Sequence, residues 1–381
     1  KVKKLRPPPA EMVHNAYIVD CVRSPGGKRK GSLSHIHPCD LAAQVIDAML
    51  DRNPFDYSLV DDVIMGCVSQ VGAQSNNVAR NTVLSSSKLP TSVPGTTVDR
   101  QCGSSQQALQ FAYQAVLSGT QDIVVCGGVE VMSLVPIGGN VIAGAQAEMG
   151  TPLGQAIRHK YTQLKDDVTF SQFLGAELVA KEFQCTRDEL EQFAVLSHQK
   201  ASQAVQQQRF QNEIIPIEYT DTETQKQYSC TVDEGVRSDT TVERLRKLKT
   251  VAPDAIHTAG TSSQITDGAS AALIMNERGL QKTKLQPKAR ILASIVVGDD
   301  PYIMLRGPVV AVDKIAKVAN VPIPSIDLFE INEAFASVPL AVIKKFSIPI
   351  DRVNVNGGAI ALGHPLGATG TKLLATLIHE L

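Results

Sequence analysis

Asn354-Val355-Asn356-Gly357-Gly358-Ala359-Ile360-Ala361-Leu362-Gly363-His364-Pro365-Leu366-Gly367-Ala368-Thr369-Gly370 is the stretch on which the fold turns. Five glycines surround one histidine, which indicates tight turns and close backbone approach that a merely solvated histidine would not require. Pro365 suits the first turn of a following helix, expected from about Thr369 to Glu380. An imidazole on such a turn can take the proton of a thiol. A histidine that only caps a glycine-rich loop would present the same pattern, so its partners must be sought elsewhere.

The thiol is found far upstream, in Val98-Asp99-Arg100-Gln101-Cys102-Gly103-Ser104-Ser105-Gln106-Gln107-Ala108. The short extended run Thr97–Arg100 precedes it, and a helix is expected from Cys102 to about Ser118. A thiol at the first turn of a helix feels the exposed N–H groups, which favours thiolate, so Cys102 and His364 are expected to rest as thiolate and imidazolium. Gly103 and Ser104 leave room for a substrate to approach the sulfur. A lone cysteine is more commonly buried and inert. A third element is Asn332-Glu333-Ala334-Phe335, which follows the apolar strand Ile326–Ile331. A polar residue at a strand end in an α/β sheet is where ligands sit, and Asn332 could hold a water with Glu333 buttressing it. Asn332 would serve equally as a helix N-cap.

Around these turns the chain alternates strands and helices. Strands are expected at Ala16–Val22, Asp62–Val68, Asp122–Cys126 (stopped by Gly127-Gly128) and Ala269–Met275, with another beginning at Ala289–Val297. The i, i+4 spacing of Leu41, Val45, Ile46 and Met49 marks a helix over Asp40–Leu50. Pro136 to about Thr250 is richer in Gln and charge, with isolated helices such as Arg187–Gln207, and reads as an inserted region. The two halves resemble each other: strand, helix, strand (Val63–Val68; Asp327–Ile331), then a glycine-bearing turn into a helix. Such a repeat implies two similar βα layers facing each other. By its logic the second half stops two strands short.

The 381 residues are 43% hydrophobic and 20% charged, and 37 Lys and Arg against 38 Asp and Glu give a net charge of −1. Near neutrality removes the electrostatic argument for nucleic acid or an anionic membrane as partner. No apolar run approaches the ~20 residues that a membrane span needs. Trp is absent while Ala, Val, Ile and Gly are plentiful, which suits strands buried on both faces. Seven cysteines, an odd number without a C-x-x-C pair, favour an intracellular, reducing compartment over a disulfide scaffold or a metal site. The basic start with Pro7, Pro8 and Pro9 reads as a mobile terminus or the tail of a transit sequence.

The motifs around Cys102, Asn332 and His364, in that order, resemble those of the thiolases. The similarity extends to Gly127-Gly128-Val129-Glu130-Val131-Met132-Ser133, to Thr258–Ala269 and to Gly307-Pro308, and so spans nearly the whole chain. The variant Gln101-Cys102-Gly103-Ser104-Ser105-Gln106-Gln107 is most similar to thiolases of steroid side-chain breakdown. The resemblance implies a five-layered α/β/α/β/α fold of two similar halves with an inserted loop domain, assembled as homodimers or homotetramers. The expected division is 1–136 with 251–288 for the N-terminal half, 137–250 for the loop domain covering CoA and substrate, and 289–381 for an incomplete C-terminal half. It further implies a CoA-dependent acyltransferase of fatty acid or other lipid metabolism. Such an enzyme cleaves 3-ketoacyl-CoA with CoA, as in β-oxidation, or condenses acetyl-CoA, through an acyl-Cys102 intermediate. His364 then deprotonates Cys102 and helps bind the thioester oxygen, and Asn332 holds a water completing that oxyanion site. Ser263 lines the pantetheine tunnel, with Ala259, Gly260, Phe335 and Gly363 as further CoA and substrate contacts. Acyl-CoA is the partner and coenzyme A a substrate; no permanently bound cofactor and no metal are implied. The compartment is mitochondrion or peroxisome in a eukaryote and cytoplasm in a bacterium.

One departure stands out. Thiolases carry a second reactive cysteine in a C-x-G loop beyond the G-H-P motif, as acid/base at the α-carbon, and this sequence ends at Leu381 without it. Cys126-Gly127-Gly128 is similar in form but reads as core strand. The sequence is therefore expected to be incomplete, with that cysteine just past Leu381. Two alternatives remain: a non-catalytic acyl-CoA- or lipid-binding homologue, and a decarboxylating condensing enzyme of the same fold. The latter carries His where this chain has Asn332.

Overall fold

The computed structural model describes residues 14–164, 170–220 and 224–381. The basic, proline-bearing start and five residues of the 136–173 covering stretch lie outside them.

The β-branched runs Ala16–Arg23 (β1), Asp62–Gly66 (β3), Ile123–Val131 (β5) and Thr266–Met275 (β8) make the centre of a seven-stranded sheet. Gly27–Lys28 (β2), Gly95–Val98 (β4) and Ala289–Ile291 (β9) complete it, in the order β4-β3-β5-β8-β1-β9 with β2 beside β8. β3 runs parallel to β4 and β5, while β8 is antiparallel to both β5 and β1. Alternate residues serve opposite cores, as a period of two requires. Val63, Met65, Val125, Leu273 and Met275 face helices Pro38–Arg52 (α1) and Val78–Ser85 (α2). Ile64, Val124, Cys126, Ala272 and Ile274 face Ser104–Leu117 (α3).

β5 does not stop at Gly127-Gly128 but runs through both. Neither glycine is a breaker here; each is a point of contact. A Cβ on Gly127 would stand 2.2 Å from Ser270 O, and one on Gly128 2.1 Å from Gly367 O. Cys126 lies on the same strand with its side chain in the core, its thiol pushed far up by burial.

The intervening region carries helices Gly139–Gln146 (α4), Gln155–Lys160 (α5), Gln172–Glu182 (α6), Arg187–Gln206 (α7) and Val242–Leu245 (α8), with the hairpin Ile217–Thr220 (β6) and Gln227–Cys230 (β7). α7 begins at a capping box of Thr186 and Glu189. Beyond β8 come Glu277–Thr283 (α9), Gly307–Ala319 (α10), Ser337–Phe346 (α11), Ala359–Leu362 (α12) and Thr369–Glu380 (α13).

α13 packs beside α3 on the sheet. Past it lies an extended stretch whose Phe329 and Ile331 pack with α10 and α11. The layer order is thus helices, sheet, helices, extended segments, helices. The expected strand Asp327–Ile331 forms no ladder among the described residues. Phe329 bridges Val353 alone, and the Asn354 side chain takes the place of the next backbone pair, accepting from Ile331 N and donating to Ile331 O. β9 likewise ends at Ile291, leaving Leu292 60% exposed.

Candidate active site

Cys102 precedes α3 on a turn held by its immediate neighbours. Gly103 N donates to Arg100 O, and the Ser104 hydroxyl donates to Gln101 O at 2.6 Å while accepting from Arg100 N at 2.9 Å. Gln101 takes a φ of +49°, and Asp99 Oδ1 accepts its N–H. The sulfur-bearing residue is half-buried and packs against Val68, Met132 and Leu366. The thiol is pushed up to about 11, mainly by burial, with the Glu130 and Asp99 carboxylates adding to it against the residue's own backbone N–H. The expectation of a resting thiolate is not met. A helix end supplies only about half a charge, and here desolvation outweighs it.

His364 follows Gly363, whose φ of +81° suits glycine alone and whose Cβ would collide with the Thr266 side chain. His364 N donates to Thr266 Oγ1. The ring is buried, and His364 Nδ1 lies 2.6 Å from Thr369 Oγ1. Thr369 spends its own proton on Pro365 O at 2.8 Å, so it accepts from Nδ1–H and leaves Nε2 with the lone pair. Burial, reinforced by the Lys372 ammonium, pulls the imidazole down to about 3. At neutral pH the site therefore rests as thiol and neutral imidazole.

The two turns meet where the first turns of α3 and α13 cross. Thr371 N donates to Ser105 Oγ at 3.1 Å, and a Cβ on Gly370 would stand 2.2 Å from Gln106 N. Leu366 closes the floor beneath Cys102. One buried carboxylate fastens the arrangement: Glu130 accepts from Gly367 N, Val68 N and Ser69 N, and from the Gln74 amide at 2.7 Å.

Asn332 is brought to the same place. Its Nδ2 lies 3.3 Å from His364 Nε2, whose lone pair accepts, and its buried Oδ1 has no partner among the described residues. It does not cap a helix; α11 starts at Ser337, after Ala336. Among the described residues no hydrogen bond joins the Glu333 carboxylate to the Asn332 side chain. Glu333 ties the 354–360 loop to α7 through Asn354 Nδ2, Ile360 N and the Ser197 hydroxyl. Gly358 is required there, because a Cβ would stand 2.2 Å from the Glu333 carboxyl carbon.

Ser263 N donates to Ala334 O and Ala336 N to Thr261 O, so the 258–263 segment runs along the Asn332 motif. Ala259 and Gly260 lie in a short turn capped by Thr258, against Leu245 and Leu248. Phe335 is buried between Phe173 and His257, with ring centroids at 5.7 and 5.5 Å. Thr369, Thr266 and Glu130 join the site from within the motifs quoted above without having been singled out there. Lys372 lies outside those motifs, and its place beside the apolar run Leu373-Leu374-Ala375 is its one visible signal.

Residues 16–278 match the family model of the thiolase N-terminal domain, and residues 285–381 that of the thiolase C-terminal domain. The chain belongs to the thiolase family. It is 44% identical to the steroid 3-ketoacyl-CoA thiolase FadA6 of Mycobacterium tuberculosis over 96% of this chain and 88% of that one. It is 39% identical to a 3-ketoacyl-CoA thiolase of Bacillus subtilis over 96% and 92%. The fold is that of the solved thiolases. A Bacillus anthracis acetyl-CoA acetyltransferase, 34% identical, superposes with a TM-score of 0.86 over 98% of this chain and 93% of that one. No helix among the described residues of this thiolase is long and apolar enough to cross a membrane.

Proposed function

We propose that this thiolase transfers acyl groups between 3-ketoacyl-CoA and CoA through a thioester on Cys102. The observation that carries the reading is the tautomer of His364: with Nδ1–H given to Thr369, Nε2 keeps the lone pair, which Asn332 Nδ2 meets in the resting site and yields when the ring takes a proton. In the forward direction Nε2 takes the Cys102 proton as the sulfur attacks the C3 carbonyl. The C2–C3 bond breaks, its electron pair stays with C2, the proton taken from Cys102 passes from Nε2 to C2 of the departing acetyl-CoA, and the shortened acyl group stays on sulfur. CoA thiol then gives its proton to His364 and attacks the thioester; the Cys102 sulfur leaves, takes that proton back from Nε2, and acyl-CoA is released. The reverse sequence condenses two acetyl-CoA. Removal of the thiol proton is the first barrier, since thiol and imidazole rest neutral, and donors aimed at the carbonyl oxygen lower it. The protonated Nε2 and a water held by the unpaired Asn332 Oδ1 are those donors in our reading.

The half-buried Ser263, with Ala259, Gly260 and Phe335, fits a CoA-facing edge beside Asn332, and Gly363 fits the turn behind the base. CoA enters as substrate, with no resident cofactor. The same reading divides the chain into 1–136 with 251–288, a covering domain at 137–250 and a second half at 289–381. It also takes the protein as an intracellular homodimer or homotetramer.

Incubation with acetoacetyl-CoA and CoA tests the proposal, following ketoacyl absorbance alongside the mass of the intact protein. Turnover with a transient acetyl adduct is expected, and its loss in Cys102→Ala. An unacylated wild-type chain would sink the nucleophile assignment, and acylation without turnover would favour an acyl-CoA-binding homologue.

A further inference from the structure

Lys372 lies in the first turns of α13 and is 5% exposed. An ammonium at such depth costs several kcal/mol unless its protons find acceptors. Nζ donates to Leu362 O at 2.6 Å and to Gly363 O at 2.8 Å. These carbonyls close α12 and immediately precede His364, where a helix end leaves its C=O groups unpaired and partly negative. The ammonium sits in front of a fixed bed: Arg23, fully buried, gives two bonds to Asp233 (2.7 and 2.9 Å) and one to Glu213 (2.6 Å). Glu213 also accepts from Thr376, one turn further along α13.

We propose that Lys372 is a positioning residue for His364, pinning by two carbonyl hydrogen bonds the turn that aims the imidazole at Cys102. This rests on the reading of His364 as base. Gly363 has no side chain to hold its left-handed turn in place, and the turn's outward carbonyls would otherwise be buried without partners. Thr369 fixes the ring, and Lys372 fixes the backbone beneath it. The same cation opposes protonation of His364. Around Lys372 stand Arg23, Asp233, Glu213 and Glu330, and on the thiol side Glu130 and Asp99.

The test is the rate of Cys102 acylation by acetyl-CoA, read by intact mass across a pH series, in wild type, Lys372→Met, Lys372→Gln, Lys372→Arg and His364→Ala. Lys372→Met is expected to acylate on the order of 100-fold more slowly, the loss that a misaimed catalytic group brings. KM should be little changed, and the acid limb should lie at higher pH, because a repelling charge has gone. Lys372→Gln should follow it, and Lys372→Arg, which keeps a cation and several donors, should recover most of the rate. Wild-type rate and profile in a folded Lys372→Met, with His364→Ala inactive, would overturn this inference alone. Normal acylation by His364→Ala would overturn the reading of the base itself. Failure of both neutral variants to fold would also overturn the inference, by assigning Lys372 to stability.

Discussion

The turn that carries Cys102 and the turn that carries His364 meet at one site but are held in opposite ways. Around Cys102 the turn is shaped mostly by bonds among residues 99–107, with Thr371 N on Ser105 Oγ tying it to α13. Around His364 nearby Thr369 and Lys372 on α13 are joined by Thr266 on β8 and Glu130 on β5, from elsewhere in the chain. If Cys102 is the nucleophile proposed above, it needs only to sit ahead of a helix and can be encoded locally. If His364 is the base, it must keep one tautomer and one aim in a buried place and so draws more on the rest of the fold.

Substitutions at the supports of the His364 turn should therefore cost more than those within the Cys102 turn. Gly128→Ala drives a methyl into Gly367 O, where buried backbone on both sides cannot yield. A loss of about 3 kcal/mol in denaturant unfolding is expected, and a variant as stable as wild type would show that the base's turn is free to move. Thr369→Val keeps the shape but takes away the acceptor of His364 Nδ1–H. Acylation should slow on the order of 100-fold, as general-base contributions of this kind do, and an unchanged rate would mean that the tautomer is fixed elsewhere. The Cys102 side is sharpened by pH. With the thiol at about 11, iodoacetamide alkylation should rise roughly tenfold per unit through about pH 7 to 9; a plateau below neutrality would reveal a resting ion pair. Smallest of all, Ser104→Ala removes two short local bonds and should cost about 1 kcal/mol. If it proves as damaging as Gly128→Ala, the contrast between the turns fails.

The same contrast governs what can be read from the sequence. The limits of α13, the capped start of α7 and the turn before α3 follow from local signals, and local signals also single out Cys102 and His364 as candidates. Gly127-Gly128 reads wrongly as a strand end because a glycine pair looks alike whether it breaks a strand or admits a neighbouring backbone. Asn332 as an N-cap and a thiolate at Cys102 are reasonable from neighbours alone. Burial, which depends on what arrives from elsewhere in the chain, decides the state of the thiol. Thr369 and Lys372 escape notice for that reason: their roles exist only once Pro365, Leu362 and Gly363 fold back over α13.

Glu130 gathers four N–H donors from two separate stretches, 68–74 and Gly367, onto one carboxylate, one oxygen reaching Val68 and Gly367 and the other Ser69 and Gln74. An anion shared in this way cannot be released by one stretch and kept by another without being stranded in the interior. Loosening of the His364 turn is thereby linked to loosening of the Cys102 floor, and the centre melts as one cooperative unit. Neither turn should then open while the other stays closed, so exposure of the thiol to solvent should follow the folding equilibrium of the whole centre.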